Sequence, residues 1–232
     1  MKTLEEMVLG IDQVFKTKWD VREGEKVPEP QDIRLGNDAV ELDATVLYAD
    51  LKDSTGLVNE YKKWFAAEIY KAYLQSSCEI IKNNRGVITS FDGDRVMAVF
   101  YGNAKNSNAA KAALQINYMV TKVINIKIKE YYPTSPYSVK QAVGIDTCKL
   151  FIARTGIRND NDLVWVGNAA NIAAKLCSIR KEGYSLFITE SVYKLLNDSS
   201  KYGGKDKLCM WEETSWPEQG VKVYASSWYW SP

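Results

Sequence analysis

The chain has 232 residues, 46% of them hydrophobic, with 30 Lys and Arg against 29 Asp and Glu, and it contains no histidine. That charge balance gives no reason to expect a nucleic acid or an anionic membrane as partner. The missing histidine excludes the commonest general base, the usual zinc ligand and every Ser-His-Asp or Cys-His arrangement, which leaves carboxylates, cations or metal ions to carry any chemistry.

Cys78, Cys148, Cys177 and Cys209 show no CxxC spacing and lie among apolar neighbours, which predicts buried thiols in a reducing compartment. The N-terminus has no apolar signal core, and no run approaches the roughly 18 apolar residues of a membrane span, so the expected location is cytoplasmic. Length and composition fit one domain with a single full core and an N-terminal appendage.

In residues 1–19, Leu4, Met7, Val8, Ile11, Val14 and Phe15 recur at helical spacing, which predicts an amphipathic docking helix. Residues 20–38 are charged and carry Pro28 and Pro30, so they read as a linker or extended arm. Residues 44–50 (ATVLYAD) form a nearly continuous apolar run ending in an acid, the pattern of a buried central strand with a site at its end. From 56 to 84 the apolar positions follow a helical period, with Gly86 as the expected C-cap. Residues 87–91 and 96–101 flank Asp92-Gly93 and read as a hairpin that sets Asp94 at or beside the turn. A helix follows over about residues 106–130, and Pro133 and Pro136 break the chain before a strand at 139–147. A second strand is expected through Phe151 and Ile152, then a third helix from Asn168 to about Arg180. Residues 185–188 read as a strand and 190–196 as a short helix. The tail, with Trp211, Trp216, Trp228 and Trp230, reads as further strands whose rings cover apolar surface.

The order strand, helix, hairpin, helix, strand predicts an α+β fold, a ferredoxin-like βαββαβ sandwich with an antiparallel sheet and helices on one face. Asp50 at a strand end and Asp94 beside a hairpin tip are two carboxylates that converge from adjacent strands, suited to Mg²⁺ or Mn²⁺. Asp53, Ser54 and Thr55 then lead into a helix whose first N–H groups face a phosphate-sized ligand. Each feature alone has a plain structural reading, a turn at Asp-Gly and an N-cap at Ser54 or Thr55.

Four ordered blocks change that balance: ATVLYADLKDST at 44–55, FDGDRVMAVF at 91–100, VGIDT at 143–147 and VGNAANIAAK at 166–175. Over roughly residues 42–198 the chain resembles the class III adenylyl and guanylyl cyclases. The resemblance implies a palm-type cyclase domain over residues 42–232, preceded by a helix and linker arm over residues 1–41. It implies that Asp50 and Asp94, with the backbone carbonyl of Leu51, hold two Mg²⁺ or Mn²⁺ ions per site. In-line attack of the ribose 3′-oxygen on the α-phosphorus of a nucleoside triphosphate then expels pyrophosphate. Asn171 takes the place of the family's ribose-orienting asparagine, and Lys175 that of its transition-state arginine, which keeps the charge and loses the bidentate fork. Because the family builds each site from two subunits, the resemblance also implies a homodimer with composite active sites.

At the family's two adenine-reading places the chain has Ser90 and Val164, so neither purine signature is present. Tyr48 shares the strand face of Asp50 and narrows the substrate side, and Arg95 supplies donors next to Asp94. These departures resemble the stand-alone pyrimidine cyclases of bacterial anti-phage defence, which implies UTP ahead of CTP as substrate and a product-sensing effector protein as downstream partner. The alternatives are a purine cyclase with relaxed base contacts and a catalytically dead module that binds nucleotide or dimerises.

Overall fold

The computed structural model describes residues 2–179, 181–216 and 220–232. The chain divides into two compact units, residues 1–43 with 149–167, and residues 44–148 with 168–232.

In the smaller unit, α1 (Leu4–Lys16) begins in a capping box between Thr3 and Glu6 and leaves Leu4, Met7, Val8, Ile11, Val14 and Phe15 exposed. The segment read as a linker is ordered in part. Strand β1 (Asp20–Glu23) pairs in parallel with residues 38–41 of β2 (Asp38–Leu51), and Pro30 opens a single 3₁₀ turn, Pro30–Asp32. The buried carboxylate of Asp38 accepts from Arg22 Nη1 at 2.5 Å and from the Arg34 backbone N–H at 2.6 Å. Burial alone pushes that carboxyl up, but the Arg34 N–H and the Arg22 guanidinium outweigh it, and Asp38 titrates below its ordinary value. Phe151 stands edge-on to Trp19, ring centroids 5.0 Å apart. It lies in the second half of β5 (Gln141–Ile157), which pairs with β6 (Asp160–Val166) in an antiparallel hairpin. The strands expected at 139–147 and 151–152 are therefore one continuous strand.

The larger unit carries the expected βαββαβ order: the end of β2, helices α2 (Ser54–Glu60) and α3 (Lys63–Asn83), the hairpin β3 (Val87–Asp92) and β4 (Arg95–Tyr101), α4 (Lys105–Tyr118), and the start of β5. A π-helical stretch, Met119–Ile124, carries α4 into α5 (Asn125–Tyr131). After β5 come α6 (Asn168–Leu176), β7 (Leu186–Thr189), α7 (Glu190–Lys194), α8 (Asp198–Lys201), the two-residue strands β8 (Tyr202–Gly203) and β9 (Leu208–Cys209), then β10 (Glu212–Thr214) and β11 (Val223–Ser226). The strand order is β10-β11-β7-β5-β2-β4-β3. Most pairs are antiparallel, and β5 runs parallel to β7.

Alternation along the strands assigns the two faces. Leu47, Ala49, Leu51, Val96, Ala98, Phe100, Val143 and Ile145 pack with Phe65, Ile69, Tyr73 and Ile81 of α3 and with Leu114 and Ile116 of α4. Residues one step along the strands, Tyr48, Asp50, Arg95 and Met97, turn to the other face. There Leu176 of the short helix α6 packs with Phe187 of β7 and with Val223 and Ala225 of β11. That helix ends at Leu176, short of the end expected at about Arg180, a residue that itself lies outside the described residues.

Two local expectations are corrected. Gly86 is not the left-handed residue of the α3 cap. Arg85 takes φ 65° beyond the C-cap Asn84, while the N–H groups of Arg85 and Gly86 bond Lys82 and Ile81 oxygens in a Schellman arrangement. Gly86 is required for space instead, since a Cβ there would meet the Phe100 ring at 2.6 Å. Of the four cysteines only Cys177 is buried, Cys209 is exposed, and none is in a disulfide. The hairpin turn is Gly93-Asp94, with Gly93 at φ 61°, which places Asp94 in the turn, in line with its expected position at or beside it. Trp211 is buried in the core and Trp228 and Trp230 pack against it. No helix among the described residues is long and apolar enough to cross a membrane.

Candidate active site

The β2–β4–β3 register aligns two rows of side chains on the face opposite α3 and α4. Asp50 stands opposite Arg95, which stands opposite Asp92; Tyr48 stands opposite Met97, which stands opposite Ser90. Directly opposed residues share a face, so the structure brings Tyr48, Asp50, Ser90 and Arg95 onto one patch. Met97, which the sequence reading passes over, lies in the middle of it and is buried.

Arg95 donates from Nη2 to Asp92 Oδ2 at 2.6 Å, and its guanidinium lies 5.1 Å from the centre of the Tyr48 ring. Burial works against its charge, but the Asp92 bond and the nearby Asp50 carboxylate raise its pKa further. Burial likewise raises the Tyr48 phenol, with Arg95 opposing. The Tyr48 strand is pinned from beneath by Cys177, whose buried thiol lies 3.4 Å from the Tyr48 carbonyl oxygen and is pushed up to about 12, first by burial and then by Asp50.

Asp94 follows the turn glycine and turns one oxygen, Oδ2, into the protein, where it is buried without a hydrogen-bond partner. Three tyrosines that helical spacing marks only as core or loop positions stand around it. Burial raises the Tyr70, Tyr73 and Tyr137 phenols, and the Asp94 carboxylate adds to each rise, Tyr137 reaching about 12. Tyr73 also feels Asp50, so one fully buried hydroxyl lies within electrostatic reach of both aspartates. For Tyr70 and Tyr73 the sequence signal is a polar tip on an otherwise apolar helix; Tyr137, in the irregular stretch before β5, carries none.

The donor set fits a divalent cation. Asp50 lies at the end of β2, paired with Arg95, and Asp94 sits in the adjoining turn, so two carboxylates, the hard oxygen donors that Mg²⁺ and Mn²⁺ take, stand at neighbouring places. Among the described residues no group of three or more His, Cys, Asp and Glu side chains gathers to hold a metal, so a cation at the two aspartates would need further ligands from substrate and water. The Leu51 side chain belongs to the helix-facing core, leaving its backbone to the site.

Beyond Leu51 the chain turns sharply. The Lys52 N–H bonds the Lys140 oxygen at 2.8 Å, and Asp53 adopts φ 61° as N-cap of α2 without a side-chain cap hydrogen bond. The Asp53 carboxylate folds over Gly56, where a Cβ would come within 2.8 Å of it. Ser54 and Thr55 open α2 with their N–H groups uncapped by any side chain.

Asn171 and Lys175 lie four residues apart on α6 and are both exposed, as their spacing requires. Helix α6 approaches β5 so closely at Gly144 that a Cβ there would meet the Ala173 carbonyl oxygen at 2.2 Å. Val164 belongs to β6 in the smaller unit and is 39% exposed.

No family model matches the chain. It is 47% identical over 229 residues to a uridylate cyclase of Xanthomonas perforans, covering 97% of each chain. It is 45% identical to a uridylate cyclase of Burkholderia cepacia across the whole of both. Among solved structures, a bacterial light-regulated adenylyl cyclase superposes with a TM-score of 0.67 at 19% identity, over 80% of this chain and 90% of that one.

Proposed function

This chain belongs to the uridylate cyclases, a group of the class III nucleotidyl cyclases, and on that premise we propose that it closes UTP into 3′,5′-cyclic UMP with release of pyrophosphate. The observation that carries the reading is the pair of carboxylates, Asp50 and Asp94, set beside the Tyr48–Arg95 platform.

Asp50, Asp94 and the Leu51 carbonyl would hold two Mg²⁺ or Mn²⁺ ions, which would supply Lewis acidity toward the ribose 3′-hydroxyl and positive charge against the triphosphate. The chain's own residues do the rest. The N–H groups at Ser54 and Thr55, with the turn at Asp53, receive phosphate oxygens. Asn171 orients the ribose, and Lys175 offsets the charge that builds on the pentavalent phosphorus, a role worth about two to three orders of magnitude in rate. Both project from the exposed face of α6, which supports a homodimer in which each site takes its aspartates from one subunit and Asn171 and Lys175 from the other. On the base side Tyr48 limits the room, Ser90 and Val164 leave adenine without its readers, and the Arg95 donors not used by Asp92 meet a carbonyl oxygen of uracil. The cyclic nucleotide then serves as a second messenger in antiviral defence, read by an effector protein. Residues 1–41 stand before the catalytic domain as a helix and arm.

The test is product analysis after purified protein meets an equimolar mixture of ATP, GTP, CTP and UTP with Mn²⁺. Cyclic UMP as the main product is expected. A cyclic purine as the main product refutes the pyrimidine reading, and no cyclic product from any triphosphate refutes the cyclase chemistry.

A further inference from the structure

Among the described residues four buried side-chain atoms lack a hydrogen-bond partner: Tyr73 Oη, Ser77 Oγ, Asp94 Oδ2 and Gln141 Oε1. Three of them are linked, two on α3 and the third, on Asp94, within electrostatic reach of Tyr73. Tyr73 and Ser77 are one helical turn apart on the buried face of α3, and both are fully buried. The Tyr73 hydroxyl adjoins Ser77 and lies within electrostatic reach of Asp94. Tyr70 and Tyr137 also reach Asp94, but both are only half-buried, and Tyr70 has Ser54 beside it.

A lone hydroxyl in an apolar core is worse than the phenyl ring it extends, and a buried carboxylate oxygen without a donor is worse still. Here a buried donor without an acceptor lies within electrostatic reach of a buried acceptor without a donor, and a bond between them would relieve both. Oδ2 has no access to solvent, so a cation arriving from solvent meets the other oxygen of Asp94.

We infer that Tyr73 is a positioning residue for the cation-holding carboxylate: its hydroxyl donates to Oδ2 of Asp94 when the other oxygen takes the cation, and Ser77 donates in turn to Tyr73. The inference rests on the proposed cation site at Asp50 and Asp94. A hydrogen bond behind a metal-binding group fixes its orientation, and removing such a partner ordinarily weakens metal binding by about 10- to 100-fold.

The experiment is a Mn²⁺ titration followed by electron paramagnetic resonance, without nucleotide, on the full chain and on Asp94→Asn, Tyr73→Phe and Ser77→Ala, with melting temperatures alongside. Tyr73→Phe is expected to bind Mn²⁺ about tenfold more weakly while melting no lower than the parent, because it deletes an unpaired hydroxyl. Ser77→Ala, which removes only the outer link, is expected to lose several-fold and keeps the inference open to refutation if Tyr73→Phe does not fold. Parent-like Mn²⁺ affinity in Tyr73→Phe, or in Ser77→Ala where that stands in for it, overturns the positioning role and leaves the cation site standing. Parent-like affinity in Asp94→Asn overturns the cation site and the inference with it.

Discussion

The guanidinium of Arg95 lies over the ring of Tyr48, 5.1 Å from its centre, and is tethered from the far side by Asp92 at 2.6 Å. Tethering at both ends lowers the entropy lost when the remaining donors engage a ligand. Ring and cation together build a low wall with fixed donors, which suits a small base bearing carbonyl oxygens better than a purine.

Uracil presents two carbonyl acceptors, whereas cytosine carries an amino donor where uracil has O4. Arg95→Ala is therefore expected to cost UTP about 1.5–3 kcal/mol in kcat/KM and CTP less, and Tyr48→Ala to relax discrimination against purines. Competitive kinetics on both variants check this. Equal losses for UTP and CTP in Arg95→Ala would remove Arg95 from base selection.

Asp50 ends a strand of the sheet and Asn171 projects from the exposed face of α6, so a composite site is testable by mixing. Asp50→Ala and Asn171→Ala are each expected to be inactive and to regain activity together. Random re-assortment gives at most about a quarter of parent turnover when sites act independently. Activity that stays absent despite demonstrated subunit exchange rules out sites shared between subunits.

Most of the frame was legible because its signals are local. The apolar run ending at Asp50 and the turn chemistry beside Asp94 each constrain a few neighbouring residues, and the structure has both in place, whereas the single helical period expected over 56–84 is divided at Tyr61 and Lys62 into α2 and α3. What was illegible depends on residues far apart in sequence. Gly86 carries the signature of a cap, yet its real constraint is the Phe100 ring fourteen positions on, and Arg85 takes the left-handed turn in its place. The break expected within β5 does not occur because β6 pairs along residues 151–157 and sustains the strand. Tyr73 and Ser77 fit an apolar helix stripe, and only the tertiary placement of Asp94 sets their hydroxyls apart from core carbon.

Asp38 supplies a pH test in the smaller unit. Its carboxyl is held below the ordinary 3.8 because the Arg34 N–H and Arg22 outweigh burial, so it binds protons less readily folded than unfolded. The stability it contributes is full above about pH 4 and is lost as pH falls through the lowered folded value. Asp38→Asn is expected to cost about 1–3 kcal/mol near neutrality, with the gap to the parent closing below about pH 4. Melting temperatures from pH 7 down to pH 2 read this directly. A gap independent of pH would show that the carboxylate charge contributes nothing.

Gly144 tests how α6 is held. A Cβ at this position would lie 2.2 Å from the Ala173 carbonyl oxygen and 2.7 Å from Leu176 Cβ. The first of these is helix backbone, which cannot swing aside as a side-chain tip can, so Gly144→Ala must lift the helix or bend β5. Overpacking of this kind costs about 1–3 kcal/mol, which in a domain of this size lowers the melting temperature by about 2–4 °C per kcal/mol. The catalytic consequence is larger than the thermal one. Asn171 and Lys175 ride on the same helix, and a shift of about 1 Å in positioning groups costs on the order of 100-fold in turnover. Because the aspartates proposed to hold the cations belong to β2 and the β3–β4 turn, Mn²⁺ binding is expected to survive the substitution. The signature is thus a modest fall in melting temperature, a large fall in kcat and unchanged Mn²⁺ affinity. A variant that melts like the parent and turns over at the parent rate would refute the close packing of α6 on β5.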